Sequence, residues 1–233
     1  MCGRFALKTS AQKLAEVFDF VPAIPLPPRY NIAPGQPVLA VRQEPTGRKA
    51  VHLRWGLVPQ WAQDPALGNR LINARAETLA SKPAYRDAYR YRRCLIPADG
   101  FYEWQPQGRR KQPYYIHGVD GQPLAFAGLW EHWQDAHGNE LETCTIITTN
   151  ANEVVKPIHD RMPVILPPHQ WATWLTPDTP AQALAGLLRP LTKEILKAYP
   201  VGPQVNRPGM DDVSCLAPPS PAPKDEGGLF DRV

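Results

Sequence analysis

Residues 92–130 read RRCLIPADGFYEWQPQGRRKQPYYIHGVDGQPLAFAGLW, and this stretch decides the fold class. Its four apolar runs, RRCLIPA, GFYEW, PYYIHG and LAFAGLW, carry branched and aromatic side chains and are broken by Asp, Gly, Pro and Gln, which predicts short strands joined by turns. Downstream, ETCTIITT (142–149) and MPVIL (162–166) extend the series. Upstream, PVLAVRQ (37–43) and KAVHLRW (49–55) flank the turn PTGR as a hairpin, with Val51, Leu53 and Trp55 on one face. Helices are fewer. Thr9 and Gln12 make a capping box for a helix over 10–19, with Leu14, Val17 and Phe18 at helical spacing. KPAYRDAYR, the segment after Asn150, PHQWATWL, AQALAGLLR and TKEILKAY are the other candidates, the last with Thr192, Ile195, Leu196 and Tyr199 on one face. Strands dominate, so the fold class is α+β with mixed or antiparallel sheets.

The chain has 233 residues, enough for one large domain. Proline supplies 28 of them, more than twice the usual share of about 5%, and long uninterrupted helices are not expected. Residues 217–228, APPSPAPKDEGG, have almost nothing to bury, which divides the chain into a domain over 1–216 and a flexible tail over 217–233. No apolar run approaches the roughly 18 residues of a membrane span, and MCGRFALKTS lacks a secretory signal, so a cytoplasmic address is expected. The formal net charge of +4 permits a polyanion partner without requiring one. Cys2, Cys94, Cys144 and Cys215 are widely spaced, with no C-x-x-C pair and no H-E-x-x-H, so neither a zinc site nor a disulfide framework is indicated. No metal or organic cofactor is implied.

Cys2 is the most distinctive reagent. Initiator methionine is commonly removed before a small residue, which would expose an amine and a thiol on one carbon skeleton. Such an aminothiol condenses with an aldehyde to an imine, which the thiol then closes to a five-membered thiazolidine. An α-amine near 7.7–8.0 and a thiol near 8.5 each supply some nucleophile at neutral pH. Taken by itself, position 2 fits an incidental buried cysteine better.

The order of motifs changes that weighing. MCGRFA, YNIAPGQ, WGLVPQWA, INARAET, CLIPADGFYEW, PYYI, AFAGLW and IHDRMPVIL follow one another from Cys2 to Leu166, and together they resemble the SOS response-associated peptidase (SRAP) family. The resemblance implies a compact, barrel-like, β-rich domain that captures abasic sites in single-stranded DNA through a covalent bond to the N-terminal cysteine; nothing in the apolar pattern demands an oligomer, so a monomer is expected. It also implies site roles. Asn73 in INARAET orients the sugar or the Cys2 amine, although asparagine is also an ordinary helix cap. Glu103 in GFYEW takes the catalytic carboxylate position, where neighbouring aromatic residues would raise its pKa toward neutrality. His159 in PIHDRMP takes the active-site histidine position.

Arg4, Arg75 and Arg161 share motifs with Cys2, Asn73 and His159 and are candidates for a phosphate clamp. In YRDAYRYRR, Arg86, Arg90, Arg92 and Arg93 stand against Asp87, with Tyr85, Tyr89 and Tyr91 between them. Arg86 and Arg90 are the DNA-binding candidates, and the tyrosines fit either base stacking or a core face. Pro34 and Trp61 match family positions beside the DNA path, where a wedge would favour a single-strand/double-strand junction. Turn and core roles weigh nearly as much for these two. Two rival functions stand beside crosslinking: a cysteine-type peptidase using Cys2 and His159, and a non-covalent reader of single-stranded DNA. A nucleophile at the extreme N-terminus gains nothing for ordinary proteolysis but gains a reactive amine for aldehyde chemistry. Peptidase action is therefore expected only in the removal of Met1.

Overall fold

The structure, a computed structural model, describes residues 2–22 and 24–220. Of the expected tail, residues 221–233 lie outside the described residues. The apolar runs become strands. In chain order the elements are β1 (Phe5–Leu7), α1 (Ala11–Phe18), β2 (Arg29–Ile32), β3 (Pro37–Glu44), β4 (Gly47–Trp55), β5 (Asn73–Arg75), α2 (Arg86–Tyr91) and β6 (Arg93–Ala98). They continue with β7 (Gly100–Gln107), β8 (Arg110–Gly118), β9 (Leu124–Gln134), β10 (Glu140–Asn150), β11 (Arg161–Pro163), α3 (Trp171–Leu175), α4 (Ala181–Leu187) and β12 (Leu196–Pro200).

Five strands close on themselves. β4 pairs with β3, β3 with β6, β6 with β9 and β9 with β10, all antiparallel, and β10 returns to β4 in parallel through Thr143↔Arg54 and Cys144↔Trp55. The ring is a small barrel, which removes the exposed edges of an open sheet. Its interior takes Leu53, Trp55, Cys94, Phe126, Cys144 and Ile146, all fully buried. Gly128 on β9 lets the wall close, because a Cβ there would lie 2.9 Å from both Cys94 Sγ and Ile96 Cδ1. Pro97 sits within β6 without breaking a ladder. β3 meets β6 at Val41↔Leu95, so beyond that point β9 is the paired partner and one edge of β6 needs no donor.

A second sheet runs β12-β8-β7-β1-β2. β1 lies between β2 and β7, with Phe5 opposite both Ile32 and Phe101, so the first residues of the chain are held from two sides. β10 is long enough to leave the barrel. Its later residues pair with β5 in parallel (Ile146↔Asn73) and with β11 antiparallel (Thr149↔Met162, Asn150↔Arg161).

Three local expectations differ from the fold. Helix α1 forms, but Ser10, not Thr9, caps it by accepting from the Lys13 N–H; the Thr9 hydroxyl donates to Asp99. The segment after Asn150 makes turns and not a helix, with Asn152 Oδ1 accepting the Val154 and Val155 N–H groups. TKEILKAY becomes a short 3-10 turn followed by strand β12, because the open edge of β8 supplies backbone partners from Leu196↔Gly118 to Pro200↔Tyr114. No described helix is long and apolar enough to cross a membrane.

Candidate active site

The pairing of β1 delivers Cys2 to its surroundings. The Tyr102 N–H donates to the Arg4 carbonyl at 3.0 Å, carrying the β1–β7 alignment outward until Cys2 comes beside the next β7 residue, Glu103. Cys2 is fully buried, and burial pushes its thiol well above the ordinary range, so the resting group is a protonated thiol. Its carbonyl accepts a 2.9 Å hydrogen bond from Asn73 Nδ2.

Asn73 is itself fixed. β5 is laid on β10, the Tyr85 hydroxyl donates to the Asn73 carbonyl at 3.1 Å, and Trp55 Nε1 donates to the preceding carbonyl of Ile72 at 2.8 Å. The amide oxygen Oδ1 of Asn73 is buried and has no hydrogen-bond partner among the described residues. Asn73 therefore grips Cys2 with its donor and keeps an acceptor for whatever enters.

Glu103 is 3% exposed, and burial lifts its carboxyl to about 7. His159 Nε2 lies 4.0 Å from Glu103 Oε2. His159 Nδ1 lies between the Arg161 N–H at 2.9 Å and Asp160 Oδ1 at 3.0 Å, which fixes the ring so that Nε2 faces Glu103. Burial also lowers the pKa of His159, which keeps the ring neutral over more of the physiological range. The pair opens into a pocket of about 400 Å³ lined by Glu103, Trp104, Lys111, His159 and Asn206.

Of these lining residues, Lys111 and Asn206 lie outside every motif quoted above, and Trp104 enters there only as a neighbour of Glu103 in GFYEW. Trp104 lies on β7 next to Glu103, and Lys111 is near its cross-strand neighbours on β8. Asn206 arrives from far along the chain. It accepts from Trp104 Nε1 at 2.7 Å, and its loop is clasped to β2, where Asn31 Nδ2 donates to the Val205, Arg207 and Met210 carbonyls. Asp211 completes the clasp by accepting from Arg29 and from the Tyr30 and Asn31 N–H groups.

The clamp candidates divide. Arg75 is exposed at the end of β5, two residues beyond Asn73. Arg4 is half-buried and braces the clasp, donating to Asn31 Oδ1 and the Val205 carbonyl, both at 2.8 Å. Arg161 is 9% exposed and meets Glu77 bidentately at 2.7 and 2.9 Å. Arg86 and Arg90 lie on the exposed face of α2, Arg86 beside Asp87 and Arg90 over the Tyr91 ring at 5.1 Å. Tyr85 and Tyr89 are buried and form the core face, so Tyr91, at 54% exposure, is the tyrosine presented to solvent. Pro34 is half-buried in a tight turn, whereas Trp61 is 61% exposed, which removes the core alternative to its expected place beside the DNA. The loop bearing Trp61 is drawn in by Gly56, whose φ of +134° and 2.7 Å Cβ clearance to the Gly68 carbonyl admit no side chain.

The fold is thus a small closed β-barrel with a second sheet beside it, and the start of that sheet's β1 brings the buried Cys2, held by Asn73, next to a carboxylate and an imidazole. The chain belongs to the SOS response associated peptidase (SRAP) family, whose pattern matches residues 1–208. It is 44% identical over 213 residues to the abasic site processing protein YoqW of Bacillus subtilis, covering 89% of this chain and 95% of that one. It is 35% identical over 183 residues to the abasic site processing protein YedK of Escherichia coli, covering 75% and 79%. A solved structure of a Bacteroides thetaiotaomicron protein superposes with a TM-score of 0.85 at 27% identity, covering 93% of this chain and 99% of that one.

Proposed function

We propose that this protein senses and shields abasic sites in single-stranded DNA by bonding covalently to them through Cys2 once Met1 has been removed. The observation that carries the reading is the placement of Cys2, gripped by Asn73, beside the buried Glu103, which lines one pocket together with His159. The names of the relatives, abasic site processing proteins, support the same substrate.

The chemistry balances with protein groups alone. Glu103, protonated up to about pH 7, moves the proton at the anomeric oxygen as the deoxyribose opens to its aldehyde. The Cys2 amine adds to that carbon, and the hydroxyl leaves as water with a proton from Glu103, giving an imine. The Cys2 thiol then adds to the imine carbon: a C–S bond forms, C=N becomes C–N, and the thiol proton passes through Glu103 or His159 to nitrogen. Water is the sole by-product and nothing is oxidised. The Asn73 Oδ1 acceptor suits a sugar hydroxyl or the amine.

Arg75, Arg86 and Arg90 with Tyr91 form the strand-binding path, and exposed Trp61 is the wedge at a duplex junction. Such a protein works as a monomer in the cytoplasm, associated with the nucleoid through DNA. Peptidase action is confined to removing Met1. The test is an intact mass of the purified protein, then incubation with single-stranded DNA bearing one abasic site and a denaturing gel. A mass lacking Met1 and an adduct lost in Cys2→Ala or on acetylation of the amine is the expected result. Absence of an adduct from protein with a processed Cys2 overturns the covalent reading and favours the non-covalent reader.

A further inference from the structure

Arg161 lies two residues after His159, and each of its two terminal nitrogens donates to two acceptors. On the protein side, Nη1 donates to Asn150 Oδ1 at 2.9 Å and Nη2 donates to the Thr148 carbonyl at 2.7 Å. On the outer side, the same two nitrogens donate to Glu77 Oε1 and Oε2 at 2.7 and 2.9 Å. The Arg161 side chain is 11% exposed and that of Glu77 is 48% exposed, so the carboxylate is the solvent-facing cap on the cation. Glu77 follows Asn73 by four residues in the turn after β5, which sets the capped cation beside the grip on Cys2.

Two parallel N–H···O bonds to a planar pair of anionic oxygens are also how a guanidinium receives a phosphate. We propose that Glu77 is a built-in competitor for the DNA backbone: it occupies the phosphate-accepting face of Arg161, and a strand gains that cation only by displacing it. The proposal rests on the single-stranded DNA reading above and deepens it. Asn150 and Thr148 keep the fork oriented when Glu77 leaves, so the cation is ready for its second partner. The hydrogen bonds from Arg161 hold the Glu77 carboxyl below its usual range, which keeps the cap charged at neutral pH. The consequence is selectivity by residence time. An undamaged strand is released quickly because it competes with Glu77, whereas a damaged strand is retained by the bond to Cys2.

The experiment measures binding of an undamaged single-stranded oligonucleotide across a salt series, using the processed full chain, with abasic-site capture followed in parallel. Glu77→Gln removes the charge with little change of shape, and Glu77→Ser removes the cap altogether. Both variants are expected to bind the undamaged strand roughly two- to fivefold more tightly at low salt. Their log Kd against log salt should steepen by roughly 0.7, the increment of one further phosphate contact. If both bind as the wild type does, or more weakly, Glu77 merely positions Arg161 and the inference fails while capture still upholds the DNA reading. If the wild type neither binds nor captures, both fail together.

Discussion

Glu103 couples the chemistry of the site to its stability. Its carboxyl titrates at about 7 in the folded chain against 4.5 for the ordinary group. Because the folded state holds this proton more tightly than the unfolded chain, stability is greatest below the unfolded value and is lost as pH rises from about 4.5 to 7. Glu103→Gln removes that loss. Its thermal midpoint should exceed the wild type's at pH 8 by the equivalent of at most about 3 kcal/mol, with the difference vanishing near pH 4. The same substitution removes the acid at every pH, so capture should be slow throughout and without the fall above pH 7 that the wild type shows, and a rate profile over pH 5–9 checks it. Glu103 was legible in the sequence because aromatic neighbours in GFYEW foretell burial. Arg161 was legible as important but not as buried, since adjacency to His159 says nothing of the Glu77 four residues beyond Asn73 that meets it. Asn206 left no signal at all: only the clasp through Asn31 and Asp211 brings it to Trp104.

At the scale of elements, Arg93 shows how helix ends are reconciled with the barrel wall. It begins β6 at 3% exposure and donates to the carbonyls of Tyr89, Arg90, Trp174, Thr176 and Pro177. These are carbonyls at the C-terminal ends of α2 and α3, where helices lack internal donors and where the dipole favours a cation. Replacing the side chain orphans several buried acceptors at once. Arg93→Met should lower stability by roughly 3–5 kcal/mol, read as a shift in the urea midpoint at unchanged m. The hairpin β3–β4 and the strands β6–β10 were readable because each alternates or runs apolar between strong turn residues. β12 was not. Its apolar spacing fits a helix, but Tyr199 packs against Tyr115 and His117, and the edge of β8 offers backbone partners that outweigh the local preference.

For the whole molecule, closure of the barrel and the pinning of β1 between two strands put all four cysteines, Cys2, Cys94, Cys144 and Cys215, in buried positions. They lie in different parts of the fold: one at the site, two facing each other's surroundings within the barrel, and one under the C-terminal clasp. A thiol reagent in solution thus meets Cys94, Cys144 and Cys215 only when the structure opens, whereas Cys2 of the processed chain is reached through the site. The chain carries its own stopwatch. With a chromogenic disulfide in excess, native processed protein should release colour for no more than the one thiol at the site, and denaturant should bring the total to four equivalents in a burst. Mass mapping of partially labelled protein would then rank the order in which the regions yield, with early modification of Cys215 expected because only the clasp must lift, and late modification of Cys94 and Cys144 because the barrel must break.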